Sequence, residues 1–194
     1  MHFLAHLQLA NGNPHQQIGQ IAGDFAKGLV LDELHPEIAM GVRLHRRVDS
    51  FTDSHPSMLA SKTLMTGPYR RYSGLVLDLY YDHLLAKHWT QMTGGDLRTD
   101  ADAMVALLKS HRRQWTSGMV WFTRHLIRSD MLFRLQDVSV MEPGLKRITS
   151  RLKRPVDLRP AIDQVVDKED EHLELFLTFY PELMQEIAAY KVTL

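Results

Sequence analysis

In the stretch GVRLHRRVDSFTD, residues 41–53, a histidine and two carboxylates recur at one-turn spacing: His45, Asp49 and Asp53. At about 100° per residue, a helix sets Asp49 about 40°, Asp53 about 80° and Arg46 about 100° from His45, with Ile38, Val42 and Val48 in or beside the same arc. A second such place is LVLDLYYDHLLAKHW, residues 75–89. Around Asp82, the side chains Leu75, Asp78, Leu79, Leu85, Ala86 and Trp89 fall within about 60°, and His83 stands at the edge of that apolar stripe. A buried carboxylate without a partner costs on the order of several kcal/mol or takes up a proton. Arginine partners or a metal ion remove that cost, and histidines on another helix favour the metal.

Two further groups extend the set. Asp24, in IAGDFAKG, follows small residues that permit close helix approach, and His6, in MHFLAHL, lies one turn after His2. Asp24, His45, Asp49, Asp82, His83 and His6 together offer imidazole and carboxylate without sulfur. Such donors suit Mn²⁺, Fe²⁺, Mg²⁺ or Zn²⁺. Plainer readings stand beside this one. His6 alone also reads as a hydrogen-bonded core histidine, and His45 with Asp49 as an i,i+4 pair worth a few tenths of a kcal/mol, an order-of-magnitude figure.

The elements that must position these groups are helices. Helical spacing dominates the chain, and strand-like alternation is scarce. Helices are predicted near residues 1–10, 15–30, 36–53, 55–66, 69–92, 99–127, 129–137, 143–152 and 157–189, punctuated by NGNP, HP, SHP, TGP, TGGD, EPG and RP. Asp100 and Asp157 are the expected caps for the helices that follow them. The expectation is one all-α domain over residues 1–194, a helical bundle large enough for a real core.

Composition narrows the function. Lys+Arg and Asp+Glu both number 23 in 194 residues, so net charge points to neither a nucleic-acid nor a membrane partner. The absence of cysteine removes disulfides, thiolate metal sites and a cysteine nucleophile, and suits a reducing cytoplasm. The start carries no basic segment before its short apolar run, and nowhere do about 18 apolar residues run together, so neither a signal peptide nor a membrane span is expected.

MHFLAHLQLA, GDFAKG, HRRVDSFTD, YDHLLAKHW and, near the C-terminus, FYPELM resemble the acyl carrier protein phosphodiesterases, also called acyl carrier protein hydrolases. The resemblance implies an all-helical fold related to the HD metal-dependent phosphohydrolases. It implies removal of 4′-phosphopantetheine from holo-acyl carrier protein with a divalent metal, typically manganese. It also places Asp24, His45, Asp49, Asp82 and His83 at motif positions as ligand or catalytic residues. Two departures are visible: His2 stands where the family usually has Asn, and Asp82–His83 runs in the reverse of the HD order.

On this reading the cluster holds one metal or two, and water attacks phosphorus while the carrier serine oxygen leaves. Asp49 or Asp53 orients the water or relays a proton. Arg46 pairs with a non-bridging phosphoryl oxygen, or else is solvated or paired with Asp49 or Asp53. Acyl carrier proteins are acidic, and the acid-free run GLKRITSRLKRP, residues 144–155, offers Lys146, Arg147, Arg151, Lys153 and Arg154 as a docking surface, with Arg70–Arg71 and Arg112–Arg113 as smaller pairs. A nucleotide phosphohydrolase of the HD type and a non-enzymatic helical binding module are the alternatives.

Overall fold

The computed structural model describes residues 2–25, 30–115, 117–150 and 156–192. Among them every regular element is helical. In chain order these are α1 (Phe3–Leu9), α2 (Pro14–Gly23), α3 (Pro36–Ser54), α4 (Pro56–Leu64), α5 (Ser73–Lys87), α6 (Trp89–Thr93), α7 (Leu97–Ser110), α8 (Ser117–Arg128), α9 (Met131–Arg134), α10 (Met141–Thr149), α11 (Ala161–Val166) and α12 (Glu169–Val192), with short 3₁₀ turns between some of them. The all-α expectation holds, and among the described residues no helix is long and apolar enough to cross a membrane.

Several expected boundaries move. The helix expected over 99–127 divides into α7 and α8, and that expected over 157–189 divides into α11 and α12. The cap of α7 is Asp96, whose side chain accepts from the Thr99 amide at 2.9 Å, so the helix starts earlier than an Asp100 cap allows. Asp157 accepts from the Arg159 amide in the turn before α11 and caps no long helix.

Helix α5 is the axis of the core. Its residues Val76, Leu77, Leu79, Tyr80, Tyr81, Leu84 and Leu85 are buried around the whole circumference, the mark of a helix surrounded by others. It packs against α1, α4, α10, α11 and α12. Helices α2 and α3 cross with almost no separation. A Cβ on Gly19 would lie 2.2 Å from the Ile38 carbonyl oxygen, and one on Gly41 2.2 Å from the Gln16 carbonyl oxygen. Only glycine at both positions lets the two backbones approach so closely. This crossing brings the C-terminal part of α2, with Gln20, and Asp24 just after it against the middle of α3, with His45.

The short helix α1 completes the arrangement. Gln17 Nε2 donates to the Leu7 carbonyl at 2.9 Å, tying α1 to α2. From the other side, Tyr180 donates its hydroxyl to Gln8 Oε1 at 2.8 Å, and Lys191 Nζ donates to the Leu9 carbonyl at 2.7 Å, so α12 holds the end of α1.

Candidate metal centre

His6 from α1 and His45 and Asp49 from α3 bring one ligand atom each to within 4.8 Å of one another, and this is the sole such group of three among the described residues. Asp49 lies 3.1 Å from His45 Nε2 through Oδ2 and 3.4 Å from His6 Nε2 through Oδ1. The two imidazoles stack with centroids 4.1 Å apart and are buried, whereas Asp49 is about half exposed.

Gln20 sets the orientation of the His6 ring. Its buried Oε1 lies 2.8 Å from His6 Nδ1. A carbonyl oxygen only accepts, so Nδ1 carries the proton and Nε2 presents a lone pair toward the carboxylate. Two electron-rich atoms then face each other with a proton or a cation required between them. Burial, followed by the charge of His45, works against protonating His6, and its pKa falls despite the Asp49 hydrogen bond. The arrangement therefore fits a cation. For His45 burial again opposes charge, but the Asp49 hydrogen bond and the charges of Asp49 and Asp24 prevail and the pKa rises. Among the described residues its Nδ1 finds no hydrogen bond of good geometry, though the Gln20 main chain is close enough to favour the protonated form. For Asp49 burial acts upward, but the His45 hydrogen bond and the two adjoining imidazoles outweigh it and hold the carboxyl well below its ordinary range.

Gly23 gives the His45 ring its place. A Cβ there would fall 2.2 Å from His45 Cγ. Just beyond, Asp24 Oδ1 stands 3.8 Å from His45 Nε2, at the edge of the cluster and outside the group of three. Burial raises the Asp24 pKa; the His45 and His6 charges act downward, and those of Asp49 and Asp78 upward.

The other expected residues take different places. Asp82 is fully buried, but its charge is met by main-chain amides: it accepts from Leu4 at 2.7 Å, His2 at 3.1 Å and Ala5 at 3.4 Å. It thus serves from α5 as the N-terminal cap that α1 lacks locally, because the His2 side chain makes no capping bond. Burial pushes its pKa up to about 7 against the pull of these amides. The helix N-terminus thus gives Asp82 hydrogen-bond donors that are neither an arginine nor an ion. His83 is set apart as well: its Nδ1 donates to the Leu135 carbonyl at 2.7 Å, and its ring stacks near Tyr80.

Asp53 points to solvent and pairs with Lys62 Nζ at 3.2 Å, because four more residues of helix carry it off the cluster's side toward α4. Arg46 is exposed on the turn of His45, and neither acid takes it as partner: Asp49 is held by the imidazoles and Asp53 by Lys62. In the basic run, the Arg147 guanidinium lies over Trp121 at 4.7 Å and Phe122 at 5.6 Å, while Arg151, Lys153 and Arg154 lie outside the described residues. The residues unanticipated from sequence are Gln20 and Gly23. Gln17 and Gln20 stand at i and i+3 among the buried residues of α2, and that buried polar pair is the signal that marks Gln20.

A cavity of about 220 Å³ adjoins the cluster and shares Asp24 with it. Its walls are mostly apolar, with Phe3, Phe25, Phe122, Leu132, Leu135 and Met141 prominent, and its polar groups are His2, Asp24, Asp82 and Arg147.

The family profile described as acyl carrier protein phosphodiesterase matches residues 1–183. The chain is similar to the acyl carrier protein phosphodiesterase of Yersinia pestis, 33% identical over 96% of this chain and 97% of the relative. It is similar to that of Pectobacterium atrosepticum at 30% over 95% and 96%, and to that of an Escherichia coli strain at 27% over 96% and 97%. No solved structure matches, so the kinship with the HD fold expected from the sequence gains no support from a structural neighbour. With its profile match spanning all but the last residues, the chain belongs to the acyl carrier protein phosphodiesterase family.

Proposed function

We propose that this protein hydrolyses the phosphodiester between 4′-phosphopantetheine and the serine of holo-acyl carrier protein, releasing the apo-carrier, and that it uses a divalent cation, Mn²⁺ foremost, held by His6, His45 and Asp49. The observation that carries this reading is the convergence of two buried imidazole Nε2 atoms on one carboxylate, with ligand atoms within 4.8 Å. Nitrogen and oxygen donors without sulfur suit Mn²⁺, Fe²⁺ or Mg²⁺. Bound there, such an ion supplies Lewis-acid neutralisation of the phosphoryl oxygens and makes water acidic enough to attack near neutral pH.

The chain's own residues do the rest. Gln20 holds His6 in the tautomer that leaves Nε2 free to bind, and Gly23 lets His45 lie against α2. Asp24, next to His45 and with a raised pKa, is placed to take the proton of the attacking water and return it to the serine oxygen. The water oxygen–phosphorus bond forms as the serine oxygen–phosphorus bond breaks, and serine leaves as a hydroxyl. Asp82 acts at one remove, fixing the start of the helix that carries His6.

Kinetics on holo-carrier with an Asp24→Asn protein test the proton-transfer assignment. A fall in kcat of about 100-fold or more with Mn²⁺ still bound is expected. Full turnover by that variant removes Asp24 from the mechanism.

A further inference from the structure

The cavity beside the cluster is lined from α1, α5, α8, α9 and α10, and it touches the reacting groups through Asp24, which lies 3.8 Å from His45. Elsewhere on its wall Arg147 is half-buried and reaches over the exposed ring of Trp121 at 4.7 Å, so the cavity also connects toward the surface. An apolar enclosure with a few polar groups is the usual form of a small-molecule site. Resting on the activity proposed above, the two groups esterified to phosphorus differ sharply in shape. The serine belongs to a folded protein far too broad for such a space. The pantetheine arm is a single flexible chain with a gem-dimethyl group, methylenes and two amides.

We infer that this cavity is the subsite for the pantetheine arm, with Phe122, Leu132 and Met141 against its apolar segments and Arg147 toward its polar ones. The carrier protein then stays at the surface, and the arm threads inward past Asp24 so that phosphorus stands beside His45. A phosphodiester without such an arm binds the metal centre alone.

Gly144 gives a means to close the space. It lies within α10 on the cavity wall, and a Cβ there would sit 3.3 Å from Leu79 Cδ1, the movable end of a side chain. Replacing a helical glycine favours the helix, so Gly144→Leu fills the cavity without a backbone cost. Isothermal titration of the Mn²⁺-loaded protein with pantetheine, which carries the arm and no phosphate, reads the subsite directly. Binding to the parent protein is expected, weakened at least tenfold in Gly144→Leu and in Ile148→Phe, a second wall variant that serves if the first fails to fold by circular dichroism. In parallel, the ratio of kcat/KM for holo-carrier to that for methyl p-nitrophenyl phosphate is expected to fall at least tenfold. No pantetheine binding by the parent, or equal binding by both folded variants, overturns the subsite. Cleavage of holo-carrier alongside that result leaves the activity standing; pantetheine binding without any cleavage of holo-carrier retires the activity and keeps the cavity as an arm site.

Discussion

The ring of His6 lies stacked on that of His45, 4.1 Å between centroids and 20° from parallel, although the two residues stand on different helices. Both aim Nε2 at Asp49. Loss of either imidazole removes one of three donors, so His6→Ala and His45→Ala are each expected to lower bound Mn²⁺ after dialysis to less than a tenth per chain. Elemental analysis of the purified proteins reads this. Stoichiometric metal in both variants excludes the triad as the ligand set.

The Gln20 side chain reaches the centre through His6, and its substitution is expected to act on metal affinity. Gln20→Leu frees the His6 ring and is predicted to weaken Mn²⁺ about 10–100-fold. Gln20→Glu retains an oxygen acceptor and is expected to lie closer to the parent. A merely structural role predicts lost thermal stability in both variants with unchanged metal affinity in whatever remains folded.

Asp82 distinguishes a capping role from a ligand role. Asp82→Ala leaves the amides of His2, Leu4 and Ala5 without their acceptor, and a loss of about 1–3 kcal/mol in urea unfolding is predicted. The folded fraction is expected to bind one Mn²⁺ with affinity within about threefold of the parent, since the triad of ligand atoms stays intact. A collapse of affinity with unchanged stability reverses the assignment.

His172 provides a pH signature away from the metal site. Its Nδ1 is bonded to Ser61 Oγ at 2.6 Å, and burial pushes its pKa down to about 4 from the ordinary 6.5. The unfolded chain therefore binds the proton first as pH falls, and stability present above pH 6.5 is lost progressively down to about pH 4, by at most about 3 kcal/mol. His172→Asn keeps a polar atom near the Nδ1 position and does not titrate. The difference in unfolding free energy between parent and variant is expected to shift against the parent over that window. A difference independent of pH contradicts the buried neutral imidazole.

How far the sequence disclosed this arrangement follows from what sequence can carry. The periodicity of residues 36–53 and the Pro at the first turn made α3 readable to within a residue, and with it the neighbourhood of His45 and Asp49. The break between α7 and α8 was not readable, because residues 111–116 hold neither Gly nor Pro and the chain leaves the helix through a short 3₁₀ turn. Asp82 was rightly placed among apolar side chains, but its partners are main-chain amides as many as 80 residues away, and backbone donors leave no trace in residue type. His83 and Asp53 show the same limit: helical angle located their side of the helix, while Leu135 and Lys62 on other elements decided their company. His6 was visible only as a donor type. Its meeting with His45 depends on the α2–α3 glycine crossing and on the ties from Gln17 and Tyr180 that hold α1.

The intact mass of holo-acyl carrier protein, recorded after incubation with metal-stripped protein and again after Mn²⁺ is restored, tests the central claim most directly. The account predicts an unchanged carrier in the first case and loss of the phosphopantetheine mass in the second, with His6→Ala inert in both. Conversion to the apo-carrier by the stripped protein, or by His6→Ala at the parent's rate, contradicts it.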